Sequence, residues 1–205
     1  MDSSHFSDDV SSGSRSTSDF SSLLAEMKAQ NFDVIRFATY RTASKLRFIQ
    51  KKTNLSLLDI WNMIETFREN SLNTLEPRME INISRLETLL SSLFYQLNKR
   101  LPANHQVDID QCTSLLMSWI LLMYDRKDTA KVRVFSVKIA LSTMCSGKLM
   151  DKLRYVFSLI CDVNGHMVYS KFVDFLREAL ALPCSVLESP TFAYNDSLPG
   201  TVFDG

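Results

Sequence analysis

Three features of this 205-residue chain predict an all-α fold. Gly and Pro number five each, too few for the many turns of a sandwich or barrel or for glycine-rich nucleotide loops. Apolar residues recur at helical spacing from about residue 20 onward. The only extended runs, Lys131 to Val134 and His166 to Tyr169, are too short to stand as independent strands and are expected to pair with each other. The composition, 45% hydrophobic and 22% charged, is that of a chain able to bury a core, and Lys+Arg 23 against Asp+Glu 23 argues against a global polyanion binder.

The elements follow in order. Residues 1 to 22 hold ten serines without apolar periodicity, so residues 1–19 are expected to form a disordered tail whose serines offer phosphorylation chemistry. Three helix starts carry capping pairs, Ser56 with Asp59, Ser84 with Glu87 and Asp108 with Gln111, each worth about 1 kcal/mol. After the first, Leu57, Ile60, Trp61, Ile64 and Phe67 form an apolar stripe; after the second, Leu86, Leu89, Leu90, Leu93, Phe94 and Leu97 form another. The third helix, near 109 to 124, is apolar on nearly every side and should lie central. Shorter helices fit 135 to 146, 149 to 160 and 170 to 180, the last closed by Pro183. Beyond it the chain reads as extended. The division is a tail at 1–19, helical units at 20–103 and 104–183, and a C-terminal tail at 184–205.

Helix, short loop, brief extended run and helix is the plan of an EF-hand, and it occurs twice. Asp125 to Ser136 places Val132 at the eighth position; Ile160 to Lys171 places Gly165 sixth and Met167 eighth. Calcium takes oxygen donors at positions 1, 3, 5, 7 and 9, a glycine at 6 and a bidentate Glu at 12. The first loop instead offers Lys127, Ala130, Arg133 and Ser136 at positions 3, 6, 9 and 12. In the second, Asp162 and Asn164 can donate oxygens, but Ile160 stands first and Lys171 twelfth. A lysine charge about 4 Å from a dication is repelled by roughly 8 kcal/mol at an effective dielectric near 20, which matches the whole free energy of micromolar binding. The loops are therefore read as degenerate, and no metal ligand is assigned.

Other constellations lead nowhere catalytic. His5, His105 and His166 form no paired ligands. Cys161 near His166 is read as a short loop with a core-facing thiol, not a nucleophile and its base. Gly147-Lys148 lacks the rest of a phosphate loop. Cysteines 112, 145, 161 and 184 lack the close pairs of structural zinc sites and, without a signal sequence, are read as reduced thiols of a cytoplasmic protein. The longest apolar run, Leu115 to Tyr124, is about half of what a bilayer crossing needs. Residues 36 to 52 carry six positive charges and no negative one; pairing with nearby acids such as Asp59 and Glu65 is preferred over a membrane or nucleic-acid surface. No catalytic, cofactor-binding or partner-contact residue is assigned, and the chain is not read as an enzyme.

Tyr40 to Lys52 (YRTASKLRFIQKK), Asp59 to Glu65 (DIWNMIE), Phe94 to Pro102 (FYQLNKRLP), Val134 to Lys138 (VFSVK) and Gly147 to Ile160 (GKLMDKLRYVFSLI) are similar to the amino-terminal region of dystrobrevins, from about Leu23 to Phe192. Dystrophin and utrophin resemble it more distantly. The resemblance implies two successive EF-hand-like domains with degenerate calcium loops. It also implies a scaffold of the dystrophin-associated glycoprotein complex, peripheral to the plasma membrane through its partners. Family members continue into a zinc module, syntrophin-binding sequence and coiled coils that pair with dystrophin; those regions are missing from this chain. The expected function is protein–protein interaction without calcium. The competing readings are a calcium-responsive switch and a membrane-surface binder using the basic stretch.

Overall fold

The computed structural model describes residues 11–125 and 129–203, with side chains from Phe20 onward. Its helices are α1 (Ser11–Ala29), α2 (Ala38–Lys52), α3 (Ile60–Glu69), α4 (Ile83–Asn98), α5 (Ile109–Tyr124), α6 (Val134–Met144), α7 (Leu149–Ile160), α8 (Tyr169–Ser185), α9 (Ser189–Phe192) and α10 (Leu198–Phe203). Two short strands, β1 (Glu80–Asn82) and β2 (Lys131–Arg133), and four short 3₁₀ turns complete the described elements. The all-α expectation holds. The serine-rich segment is helical from Ser11, against the expectation of disorder, while residues 1–10 lie outside the described residues.

Helix starts follow capping chemistry, with two shifts from expectation. Asp59, not Ser56, caps α3: its carboxylate accepts from the Asn62 amide at 3.0 Å, and Asn62 Oδ1 accepts from the Asp59 amide at 2.9 Å. Asn82, not Ser84, caps α4 by accepting from Arg85 N. Asp108 caps α5 as expected, accepting from Gln111 N at 2.9 Å. Both shifts have one cause. A cap needs a short acceptor on an extended residue, and Ser56 lies inside a 3₁₀ turn, Leu55–Leu57, while Ser84 already lies in α4. The α3 stripe shifts accordingly: Ile60, Met63, Thr66 and Phe67 are buried, whereas Leu57 and Trp61 are exposed.

α5 is central. Leu116, Trp119 and Ile120 are fully buried, and the Trp119 indole donates to Ser185 Oγ at 3.0 Å. The main apolar cluster runs from Phe20 on α1 through α3, α4, α5 and α6 to Val186 after α8. A second cluster joins Phe135 and Ile139 of α6 to Val156 and Ile160 of α7 and Phe172 of α8.

Strand pairing departs from expectation. β2 pairs antiparallel with β1, Ile81 opposite Val132, and not with the run at 166–169. Both residues are buried, and pairing them joins two helix–loop–helix units, α3/α4 and α5/α6, across one ladder. His166 to Tyr169 folds back on its own loop through a Cys161–Met167 bridge. Pro183 does not close α8, which continues to Ser185. The missing proline amide falls in the last turn, where Leu182, Pro183 and Val186 are buried and that burial sustains the helix. The segment beyond, expected to be extended, contains α9 and α10.

Candidate functional site

Three hand-shaped loops share one layout. In each, an apolar residue stands eighth and the residue after it begins or caps the exiting helix: Ile81 and Asn82, Val132 and Arg133, Met167 and Val168. By the same count the first loop runs from Thr74 to Arg85. Sequence reading missed this loop because it holds no ligand signature. The signal that could have found it is the order apolar residue, capping residue, amphipathic helix at Ile81, Asn82 and α4.

The loops keep the turn of a calcium hand while their charges are spent elsewhere. Gly165, sixth in its loop, has φ +79°, and Ala130, sixth in the loop before it, holds φ 56° despite its Cβ. The Asp125 carboxylate accepts from its own loop, from Thr129 N at 2.9 Å and Ala130 N at 2.7 Å. Asp162 Oδ1 accepts from Asn164 N and His166 N, each at 2.9 Å. At the twelfth position of the third loop, the Lys171 ammonium donates to Cys161 O at 2.7 Å. That lysine places a fixed positive charge where a calcium hand carries its bidentate carboxylate. Arg133, ninth in its loop, instead bonds the buried Glu178 carboxylate, and Arg78, fifth in the first loop, reaches Asp174. Arg85 occupies the twelfth position there. These donor sets do not fit calcium. Lys127 lies outside the described residues, and among those described no cluster of three His, Cys, Asp or Glu could hold a metal.

Within the basic stretch Arg41 and Lys45 are engaged inward and Lys52 pairs at the surface, all with acids other than Asp59 and Glu65. Glu188, buried just after α8, accepts from Arg41 through both oxygens, at 2.7 and 2.9 Å, and from Lys45 at 2.8 Å. Lys45 also pairs with Asp33, and Lys52 with Glu26. The hydrogen bond from Arg41, with help from Lys45, holds the Glu188 carboxyl below the usual carboxylate range against the opposing effect of burial. Burial disfavours the Lys45 charge, but Asp33 and Glu188 outweigh it and raise the ammonium. Asp59 caps α3, and Glu65 meets Arg100 and Arg68. Arg41, Lys45 and Lys52 therefore do not form a free cationic face.

The remaining candidates are not brought together into one site. The Cys161 thiol is directed at Ser158 O and the His166 ring stands by Asp162, so no hydrogen bond joins the two. Gly147, at φ +103°, lies where residues 58–59 and 146 meet, and a Cβ added there would stand 3.5 Å from the Asp59 Cβ. His105 is exposed beside Asn104, and His5 lies outside the described residues. The four cysteines are free thiols, Cys112 and Cys145 buried; burial pushes Cys145 up to about 11. No described helix is long and apolar enough to cross a membrane.

Comparison with known proteins agrees with this geometry. An EF hand family model matches residues 21–145, and a second EF-hand model matches 149–205. Dystrobrevin-1 of Caenorhabditis elegans is 52% identical over 186 residues, covering 91% of this chain and 32% of that protein. Drosophila melanogaster dystrophin isoform B is 30% identical over 165 residues, covering 80% of this chain and 9% of that protein. The chain thus spans about a third of the first relative and less than a tenth of the second. With three hand-shaped loops in the structure and these matches over nearly its whole length, the chain belongs to the EF-hand family, in its dystrophin and dystrobrevin branch.

Proposed function

We propose that this chain is a non-enzymatic scaffold module that holds protein partners of the dystrophin complex on EF-hand-like helices whose shape does not depend on calcium. The helical units at 20–103 and 104–183 act together as one platform. It works in the cytoplasm at the plasma membrane, where it is held by its partners. The observation that carries the reading is the Lys171 ammonium on Cys161 O, 2.7 Å away. The exposed ammonium stands where a calcium hand carries its bidentate carboxylate, so a divalent ion would either meet its repulsion or displace it, and in both cases the loop would lack its twelfth-position ligand.

Calorimetry with calcium at millimolar concentration tests this. No binding heat and an unmoved melting midpoint are expected. Clear heat with a raised midpoint would establish the calcium-responsive switch instead. Capture of dystrophin-complex proteins should likewise proceed equally with and without chelator.

A further inference from the structure

Among the described residues the third hand pairs with no other hand. In the first two, the eighth-position residues face each other in an antiparallel ladder, and Ile81 and Val132 are 2% and 1% exposed. Met167 holds the same place in the third loop and is 39% exposed. Its flanking residues bond inward, Asp162 N to His166 O at 2.8 Å and Val168 N to Ile160 O at 3.0 Å. In antiparallel pairing the residue between two such bonds turns its own amide and carbonyl to the opposite side. Among the described residues nothing bonds the Met167 amide or carbonyl, which leaves a one-residue strand edge.

An apolar groove of about 410 Å³ lies beside that edge, lined by Met150, Leu153 and Phe157 of α7, Met167 of the loop, and Phe172 and Phe175 of α8. α10 sets Phe203 against Tyr169 and Phe172, yet Met150, Leu153 and Phe157 remain 58%, 48% and 40% exposed. A contiguous apolar groove next to an unpaired strand edge marks an association surface.

We infer that this face binds a second copy of the chain, the third hand pairing with itself about a two-fold axis, Met167 against Met167. The pairing already inside the chain selects this occupant. Ile81 and Val132 occupy equivalent positions of two equivalent loops, so their antiparallel ladder is a pseudo-two-fold arrangement, and a single loop of that shape is self-complementary under a true two-fold. Each α7 stripe then lies in the groove of the other copy.

Sedimentation equilibrium of the full 205-residue chain, from about 1 µM to about 100 µM, tests this, that range bracketing a modest apolar interface. A monomer–dimer equilibrium is expected. Leu153→Glu and Met150→Glu, both at exposed α7 positions, should each weaken it at least about tenfold without changing the far-UV spectrum. Trp61→Glu, at an exposed apolar residue away from the groove, should leave it unchanged. Hydrogen exchange gives a readout free of substitutions: the Met167 amide should be protected at high concentration and exchange freely on dilution. A chain monomeric throughout overturns the inference. So does a dimer that tolerates both α7 charges, or one whose formation leaves the Met167 amide unprotected.

Discussion

Glu188 shows how one carboxylate joins distant parts of the chain. It bonds Arg41 and Lys45 from the far end of the sequence, and no spacing rule links residues 147 and 143 apart. Because its folded pKa is depressed, its contribution is present above the unfolded carboxylate range and is lost as pH falls through the lower folded value. Acid unfolding followed by circular dichroism should show the wild type losing stability between pH 6 and pH 3 more steeply than Glu188→Gln. At neutral pH, Glu188→Ala should cost about 1–3 kcal/mol by leaving the buried Lys45 end of the clamp short of a partner. Ala130 supplies the opposite sign. It holds a left-handed φ of 56° that its Cβ disfavours by roughly 1–2 kcal/mol, while glycine carries an entropic cost of roughly 0.5–1 kcal/mol. Ala130→Gly should therefore stabilise the chain by about 0.5–1 kcal/mol, measured by urea unfolding. Thiol labelling follows burial: Cys161 and Cys184 should react with an aromatic disulfide reagent well before Cys112 and Cys145, the last also held neutral by its raised pKa.

Among the elements, the ladder between β1 and β2 couples two hands through a single buried pair. Ile81→Ala and Val132→Ala should each destabilise by about 1–3 kcal/mol, and the double variant by less than their sum. The shortfall, about 0.5 kcal/mol or more in a double-mutant cycle, reports direct packing across the ladder. Additive losses would mean that the strands only lie near one another. The helices themselves were legible because α4 and α5 each expose one dominant signal. Leu86, Leu89, Leu90, Leu93, Phe94 and Leu97 keep strict helical spacing and are all buried, and Asp108 alone precedes the α5 run. The α3 boundary misled because Ser56 and Asp59 both carry cap chemistry, and only the 3₁₀ turn at Leu55–Leu57 decides between them. The strand partner misled more deeply. Val132 can pair with any extended residue of suitable shape, and pairing is a long-range choice that local pattern does not encode. Of the three 3₁₀ turns that follow a residue at φ 57°, the one after Ser71 is silent because serine rarely marks a left-handed position, whereas Asn31 and Asn54 are of a type that adopts it readily.

At the scale of the whole molecule, the two apolar clusters meet on α6. Val134, Val137, Ala140 and Leu141 belong to the main cluster, while Phe135 and Ile139 belong to the second. One helix with both faces buried ties the third hand to the paired hands, so strain at one cluster should be felt at the other. Leu116→Ala, in the centre of the main cluster, should cost about 2–5 kcal/mol, and Ile160→Ala, in the second, a similar or smaller amount. If α6 couples the clusters, urea unfolding will remain a single transition in the wild type and in both variants. Tryptophan fluorescence, dominated by Trp119 in the main core and Trp61 on the surface, will then coincide with helix loss followed by circular dichroism. The alternative is separable behaviour. Ile160→Ala would produce an early helix loss that leaves Trp119 fluorescence native, which would make the third hand an independently melting appendage. The shared burial of α6 favours the first outcome, because releasing the third hand would strip Phe135 and Ile139 of their cover while their helix stayed locked in the main core. Exposing those two side chains to water, at roughly 1.5–3 kcal/mol each, makes partial unfolding costlier than its local contacts alone suggest.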